Sequence, residues 1–223
     1  MTRFQSSLVV VLALSLSAAF AAQAQAQGRG GSRSSLLGLL RIEQVQKELK
    51  LDDEAVAKVG KLREKIRGEL TEPYTAARKI EDREKRFAKY VELRNQSDRK
   101  AREGLRDVLE REQMMRLYQI RMQVRAVADS LENRYVARRL KLSDEQQEKL
   151  AKINKDARAK RSKLFGGLRD ASDEQRREAF EKYRKLRTKT GEQALGLLTA
   201  EQKKAFEDMQ GEKIELPSRR RRS

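Results

Sequence analysis

Leu49-Lys50-Leu51-Asp52-Asp53-Glu54 and Leu140-Lys141-Leu142-Ser143-Asp144-Glu145 are almost the same hexapeptide written twice, 91 residues apart. Working outward, Phe87-Ala88-Lys89-Tyr90 with Leu93-Arg94 matches Phe180-Glu181-Lys182-Tyr183 with Leu186-Arg187 at a shift of 93. Leu109 with Glu112-Gln113 matches Leu198 with Glu201-Gln202 at a shift of 89. Three matches in one order at nearly equal shifts predict a tandem duplication, with a first repeat over 36–126 and a second over 127–215. The last shift falls by about one helical turn, a change of length that leaves a buried helical stripe in place.

Each repeat reads as a short helix, a helical hairpin and a closing helix. Val56, Val59, Ile66 and Leu70 have helical spacing in the first outgoing arm, and Leu150, Ile153, Ala157, Leu164 and Leu168 have it in the second. Thr71-Glu72-Pro73 and Phe165-Gly166-Gly167 are the expected bends. Ile80, Phe87, Tyr90 and Leu93, then Ala179, Phe180, Tyr183 and Leu186, mark the return arms. Leu117, Ile120, Val124, Val127 and Leu131 are spaced alternately three and four apart, which predicts a long helix joining the repeats. No stretch alternates as a strand does. The expected fold is all-α, made of elongated helical hairpins whose tandem duplication forms a thin, cradle-like or bundle arrangement.

Composition agrees. Of the 223 residues 39% are charged and 38% hydrophobic, with only 2 prolines, so thin helices that each bury one stripe are favoured over disorder or a thick core. The net charge of +18 attracts polyanions, anionic lipid or acidic protein surfaces at long range. Cys and His are both absent, which removes disulfides, thiolate or imidazole metal sites, a cysteine nucleophile and the commonest general base. No local motif points to a carboxylate or lysine active site, so the expectation is a non-enzyme with no cofactor and no metal site.

The termini read as an address and a tail. Arg3, the apolar run Leu8 to Leu16 and the small-residue stretch Ser17 to Ala26 form the three parts of a secretory signal peptide over 1–26, with Ala22-Gln23-Ala24 and Ala24-Gln25-Ala26 both acceptable for cleavage. An uncleaved anchor would need about 20 apolar residues. The signal implies export across the inner membrane to the periplasm, which makes nucleic acid an unlikely partner. Residues 27–35 are Gly/Ser/Arg-rich and expected to be a disordered leader; residues 216–223 are expected to be a disordered basic tail.

Leu198-Thr199-Ala200-Glu201-Gln202 and Leu142-Ser143-Asp144-Glu145-Gln146 each place a hydroxyl residue three before a glutamine at a helix start. That is a capping box, in which the Ser143 or Thr199 oxygen accepts from the third helical amide and the Gln146 or Gln202 side chain returns to the cap amide. A folding signal explains these residues without a ligand. With a signal peptide, a cysteine-free helical chain and LTAEQ at a helix start, the sequence resembles the Spy/CpxP family of periplasmic LTXXQ-motif proteins. The resemblance implies thin helical cradles of paired hairpins and activities that include ATP-independent chaperoning, regulation of envelope-stress signalling and metal binding. Only Leu198 to Gln202 fits the motif literally, and Leu109-Glu110-Arg111-Glu112-Gln113 lacks a good cap, so the helix there is expected to run through. The absence of histidine speaks against the metal-binding branch. Two hairpins in one chain allow either a monomeric pseudo-dimer or a homodimer.

The leading functional expectation is a periplasmic chaperone-like protein that draws unfolded or partner proteins by charge and holds them on exposed apolar patches. Candidate basic contacts are Arg63, Arg67, Arg94, Arg116, Arg121, Arg158, Arg161 and Arg187. Candidate apolar contacts are Phe165 with Phe87, Tyr90, Phe180 and Tyr183, although helical spacing favours ordinary core for the aromatics. The alternatives are a regulatory or scaffold module of envelope-stress signalling and a binder of anionic lipid or another envelope polyanion.

Overall fold

The first repeat's spacing produces five helices: α1 (Leu36–Leu39), α2 (Glu43–Glu48), α3 (Asp53–Arg78), α4 (Arg83–Leu105) and α5 (Arg111–Val124). Five more follow: α6 (Val127–Leu131), α7 (Arg134–Arg139), α8 (Asp144–Phe165), α9 (Asp173–Gly196) and α10 (Ala200–Gln210). The computed structural model describes residues 34–166, 168 and 171–217, and the fold they form is all-α, with no strand among them. Helices α1, α2 and α3 begin 91 residues before α6, α7 and α8. The signal segment, residues 27–33 of the leader and residues 218–223 of the tail lie outside the described residues. None of the described helices is long and apolar enough to cross a membrane.

Local chemistry sets the helix ends. Side chains of Ser35, Asp52, Asp82, Ser143, Ser172 and Thr199 each accept a backbone amide at the start of their helix. Helices α2 and α7 end alike. Lys50 and Lys141 take left-handed backbones, with φ of 51° and 50°. The amides of Leu51 and Leu142 then reach back to the carbonyls of Gln46 and Ala137 at 3.0 Å, the Schellman arrangement. A lysine costs about 1 kcal/mol in that conformation. Lys141→Gly is therefore expected to raise stability by up to about 1 kcal/mol, less the greater freedom of glycine in the unfolded chain, as read from denaturant melts.

Four expectations are corrected. Pro73 does not bend the chain: α3 runs through it and the turn comes at residues 79–82. Proline removes one helical hydrogen bond, but burial of Ala77 and the stacking of Tyr74 on Tyr90, 6.1 Å between centroids, outweigh that loss. Thr71 and Thr75 also donate to the Arg67 and Thr71 carbonyls at 2.7 and 2.9 Å, tying the turns on either side of the proline. The seam from Leu117 to Leu131 is not one helix, because Arg125 and Ala126 are extended. Leu117, Ile120 and Val124 serve the first core and Val127 and Leu131 the second, so the stripe changes partner at the break. The chain also breaks before α5, where Gln113 Oε1 accepts from the Glu110 amide at 2.9 Å and Glu110 takes the cap position. Finally, order reaches into both expected flexible ends: Ser35 caps α1, and Leu216 packs on the first core because an apolar side chain beside that core gains by burial.

Two hydrophobic cores result. The first gathers Leu36, Val45, Val59, Leu70, Leu105 and Leu117; the second gathers Leu131, Leu140, Leu150, Ala194, Leu198 and Phe206. The hairpins α3–α4 and α8–α9 pack along their lengths, and α5 packs on α10. Past α10 the chain folds back over the first repeat. Gln123 Nε2 donates to the carbonyls of Gln210 and Glu212 at 2.8 and 2.7 Å, and its Oε1 accepts from the Ile214 amide at 3.1 Å. Ile214 packs beside Leu216 on the first core.

Candidate functional site

The second repeat carries a groove where α6, α8 and α9 meet. Its floor is made by small residues, Ala126, Ala128, Ala157 and Gly191, and its walls by Arg158 and Arg161 from α8 and Tyr183, Leu186 and Arg187 from α9. Positions three and four apart share one helix face, so the fold aims these side chains across the same opening. The buried Asn154 Nδ2 donates to the Ala128 carbonyl at 3.0 Å and fixes α6 against α8.

The three guanidiniums differ in how they are held. Arg158 pairs with Glu132 and lies 4.0 Å from Asp129. Arg161 sits 5.8 Å from the Tyr183 ring centroid, and Arg187 donates to the Val124 carbonyl at 2.8 Å, one of the acceptors left open at the end of α5. Neither Arg161 nor Arg187 has a carboxylate within ion-pair distance among the described residues. Nearby, burial and then the charge of Arg121 lower the pKa of the partly buried Arg125.

The other arginines singled out from the sequence fall into two groups. Arg116 pairs with Glu48 at 2.6 Å, and Arg121 pairs with Asp98 at 2.6 Å while donating to the Ser34 carbonyl at 2.9 Å; both are tied into the first repeat's packing. Arg63, Arg67 and Arg94 stay open to solvent, with Glu64 at 3.4 Å from Arg63 and 3.9 Å from Arg67. None of these five lines the groove. Tyr90 packs against the first core as helical spacing favours, but Phe87 and Phe180 depart from the expectation of ordinary core. Phe87 and Phe180, which correspond between repeats, are 59% and 50% exposed. Phe165 meets Phe180 and Tyr183 edge-on at 5.2 and 5.5 Å, so the aromatic group borders the groove through Tyr183.

The motif glutamines do more than cap. In the second repeat Gln146 Nε2 donates to the Leu197 carbonyl and to Gln202 Oε1 at 2.7 and 2.8 Å, and Gln202 Nε2 donates to the Leu140 carbonyl and to Gln146 Oε1, both at 3.2 Å. The two Oε1 atoms also accept from the Ser143 and Thr199 amides at 3.0 Å. In the first repeat Gln113 Nε2 makes the corresponding bond to the Leu49 carbonyl at 2.9 Å. The Gln113–Leu49 and Gln202–Leu140 bonds each join a closing helix to the segment just before a left-handed lysine. Leu142 and Leu198 are buried in the second core beside this network. The motif therefore locks helices together.

No protein-family model, curated protein or solved structure matches the chain. The chain's own two copies supply the useful comparison. In repeat register Ala128, Ala157 and Arg161 stand where the first repeat has Leu37, Ile66 and Leu70, all buried there. Gly191 stands where the first repeat has Asp98, the partner of Arg121. The first repeat fills this place with aliphatic side chains and an ion pair. The second leaves it open and puts an arginine at its edge. A sequence reading could have found the groove by asking where aligned positions lose volume.

Titration of the second repeat follows from exposed ion pairs on α8 and α9. Hydrogen bonds from Lys149 and Lys182 lower the pKa values of Glu145 and Glu178 below the ordinary 4.5. Their contribution is complete above that value and is lost as pH falls through the lowered ones. With no histidine to titrate, the thermal midpoint is expected to stay nearly flat from about pH 5.5 to 7 and to fall below about pH 4.5.

Proposed function

We propose that the chain is an exported, periplasmic, ATP-independent chaperone-like protein that binds unfolded polypeptides through a basic, partly apolar helical surface. The observation that carries this reading is the arginine-walled groove next to a half-exposed aromatic group, with Phe87 offering a second exposed ring on the first repeat. Long-range charge brings an unfolded chain in, and the rings and groove floor then take its apolar side chains out of water. The LTAEQ segment and the apolar run near the N-terminus support membership of a Spy/CpxP-like family and an envelope location. Neither step requires a reaction, a metal or a cofactor.

Aggregation assays with several unrelated unfolded clients test the reading. The expected result is suppression at a ratio near one to one, weakening as salt rises from about 50 to 300 mM because exposed charges are screened. No suppression, with tight capture of a single envelope protein, would overturn it in favour of a regulatory module.

A further inference from the structure

We infer that the groove of the second repeat is a site for an acidic, extended segment of a client polypeptide, and that the first repeat has no equivalent site. The inference rests on the reading that the chain holds polypeptides and adds which clients' segments it prefers and where they lie. Arg161 and Arg187 enter the groove from different helices and lack carboxylate partners among the described residues. Each retains N–H donors, since Arg161 contacts a ring face and Arg187 gives one nitrogen to the Val124 carbonyl. A carboxylate placed between these walls makes charge-assisted hydrogen bonds.

The apolar lining decides the rest of the occupant. Ala157 and Leu186 offer apolar surface, which a free phosphate cannot use and a flat bilayer cannot reach inside a groove. Asp129 lies on the same lining, solvent-accessible and 4.0 Å from Arg158. An extended peptide supplies both an Asp or Glu carboxylate for the arginines and an aliphatic side chain for the apolar lining. The corresponding place in the first repeat is closed by Ile66 and Leu70, which lie buried in its core.

Fluorescence anisotropy with labelled, unstructured peptides tests the inference. One peptide alternates Asp and Glu with Ala and Leu; a second replaces every acid by its amide. The acidic peptide is expected to bind about tenfold more tightly than the amide peptide. Arg161→Gln with Arg187→Gln, two exposed positions, is expected to lose about tenfold in affinity with helical content unchanged and only a small drop in melting from the lost Arg187–Val124 bond. Lys203→Gln with Lys204→Gln removes the same charge elsewhere and is expected to lose less than about twofold. Ala157→Ile, which installs the first repeat's residue, is expected to weaken the acidic peptide without abolishing the fold. Equal binding of both peptides, equal losses in the two double variants, or displacement of the peptide by inorganic phosphate or anionic vesicles at matched charge would overturn the assignment. Aggregation assays run on the same samples separate the two readings. Suppression without preference for acid overturns the groove assignment alone; preference for acid without suppression overturns the chaperone reading alone.

Discussion

Phe206→Ala is expected to destabilise the protein by about 3–5 kcal/mol, the largest effect of any single change considered. Phe206 is 2% exposed and belongs to the second core with Leu131, Leu140, Leu150 and Leu198. It comes from α10, the helix that packs on α5 of the first repeat, so truncation leaves a cavity where the closing helix meets its own core. Urea or guanidinium melts read the loss. A change below about 1 kcal/mol would mean that α10 is not anchored through this ring.

Gln202→Ala is expected to cost about 2–3 kcal/mol, more than Thr199→Ala at about 0.5–2 kcal/mol. The order is the informative part. Thr199 satisfies one helix-start amide, whereas Gln202 satisfies the Thr199 amide, the Leu140 carbonyl and both polar ends of Gln146. Truncating it leaves the Thr199 amide and the Leu140 carbonyl without that protein partner, while Gln146 keeps its bonds to Leu197 and Ser143. Gln146→Ala combined with Gln202→Ala should cost less than the sum of the single changes, because the two side chains share hydrogen bonds. Strict additivity would contradict the paired geometry.

The helices and their starts were legible because their causes are local. Hydrophobic spacing, Asp52, Ser143 and Thr199 at cap positions, and the doubled LKL segment all lie within a few residues of what they determine. Pro73 misled because its local cost is real but is outweighed by Ala77 and Tyr74 packing on α4, a contact invisible in spacing. The seam from Leu117 to Leu131 misled because a heptad does not say which partner each residue meets, and here it meets two cores in succession.

The candidate site was legible only in part. Arg158, Arg161 and Arg187 were among the basic positions singled out, and the fold brings these three to one groove. Arg116 and Arg121 carry the same charge but are taken up by Glu48 and Asp98, which lie 68 and 23 residues away along the chain. The groove itself is made by missing volume at Ala128, Ala157 and Gly191. Small residues carry no functional signature alone, and only their alignment against Leu37, Ile66 and Asp98 reveals the opening. The second task of the motif glutamines was hidden for a similar reason, since Leu140 is 62 residues from Gln202.

Site-specific photo-crosslinking to unfolded clients tests the central claim most directly. A photoreactive residue in place of Leu186, inside the groove, is predicted to capture several unrelated clients, with the crosslinks falling in their acidic segments and fading as salt is raised. The same residue in place of Lys203, on α10, is predicted to capture little. Equal capture at both positions, or none at Leu186 from a folded protein that still suppresses aggregation, would contradict the account.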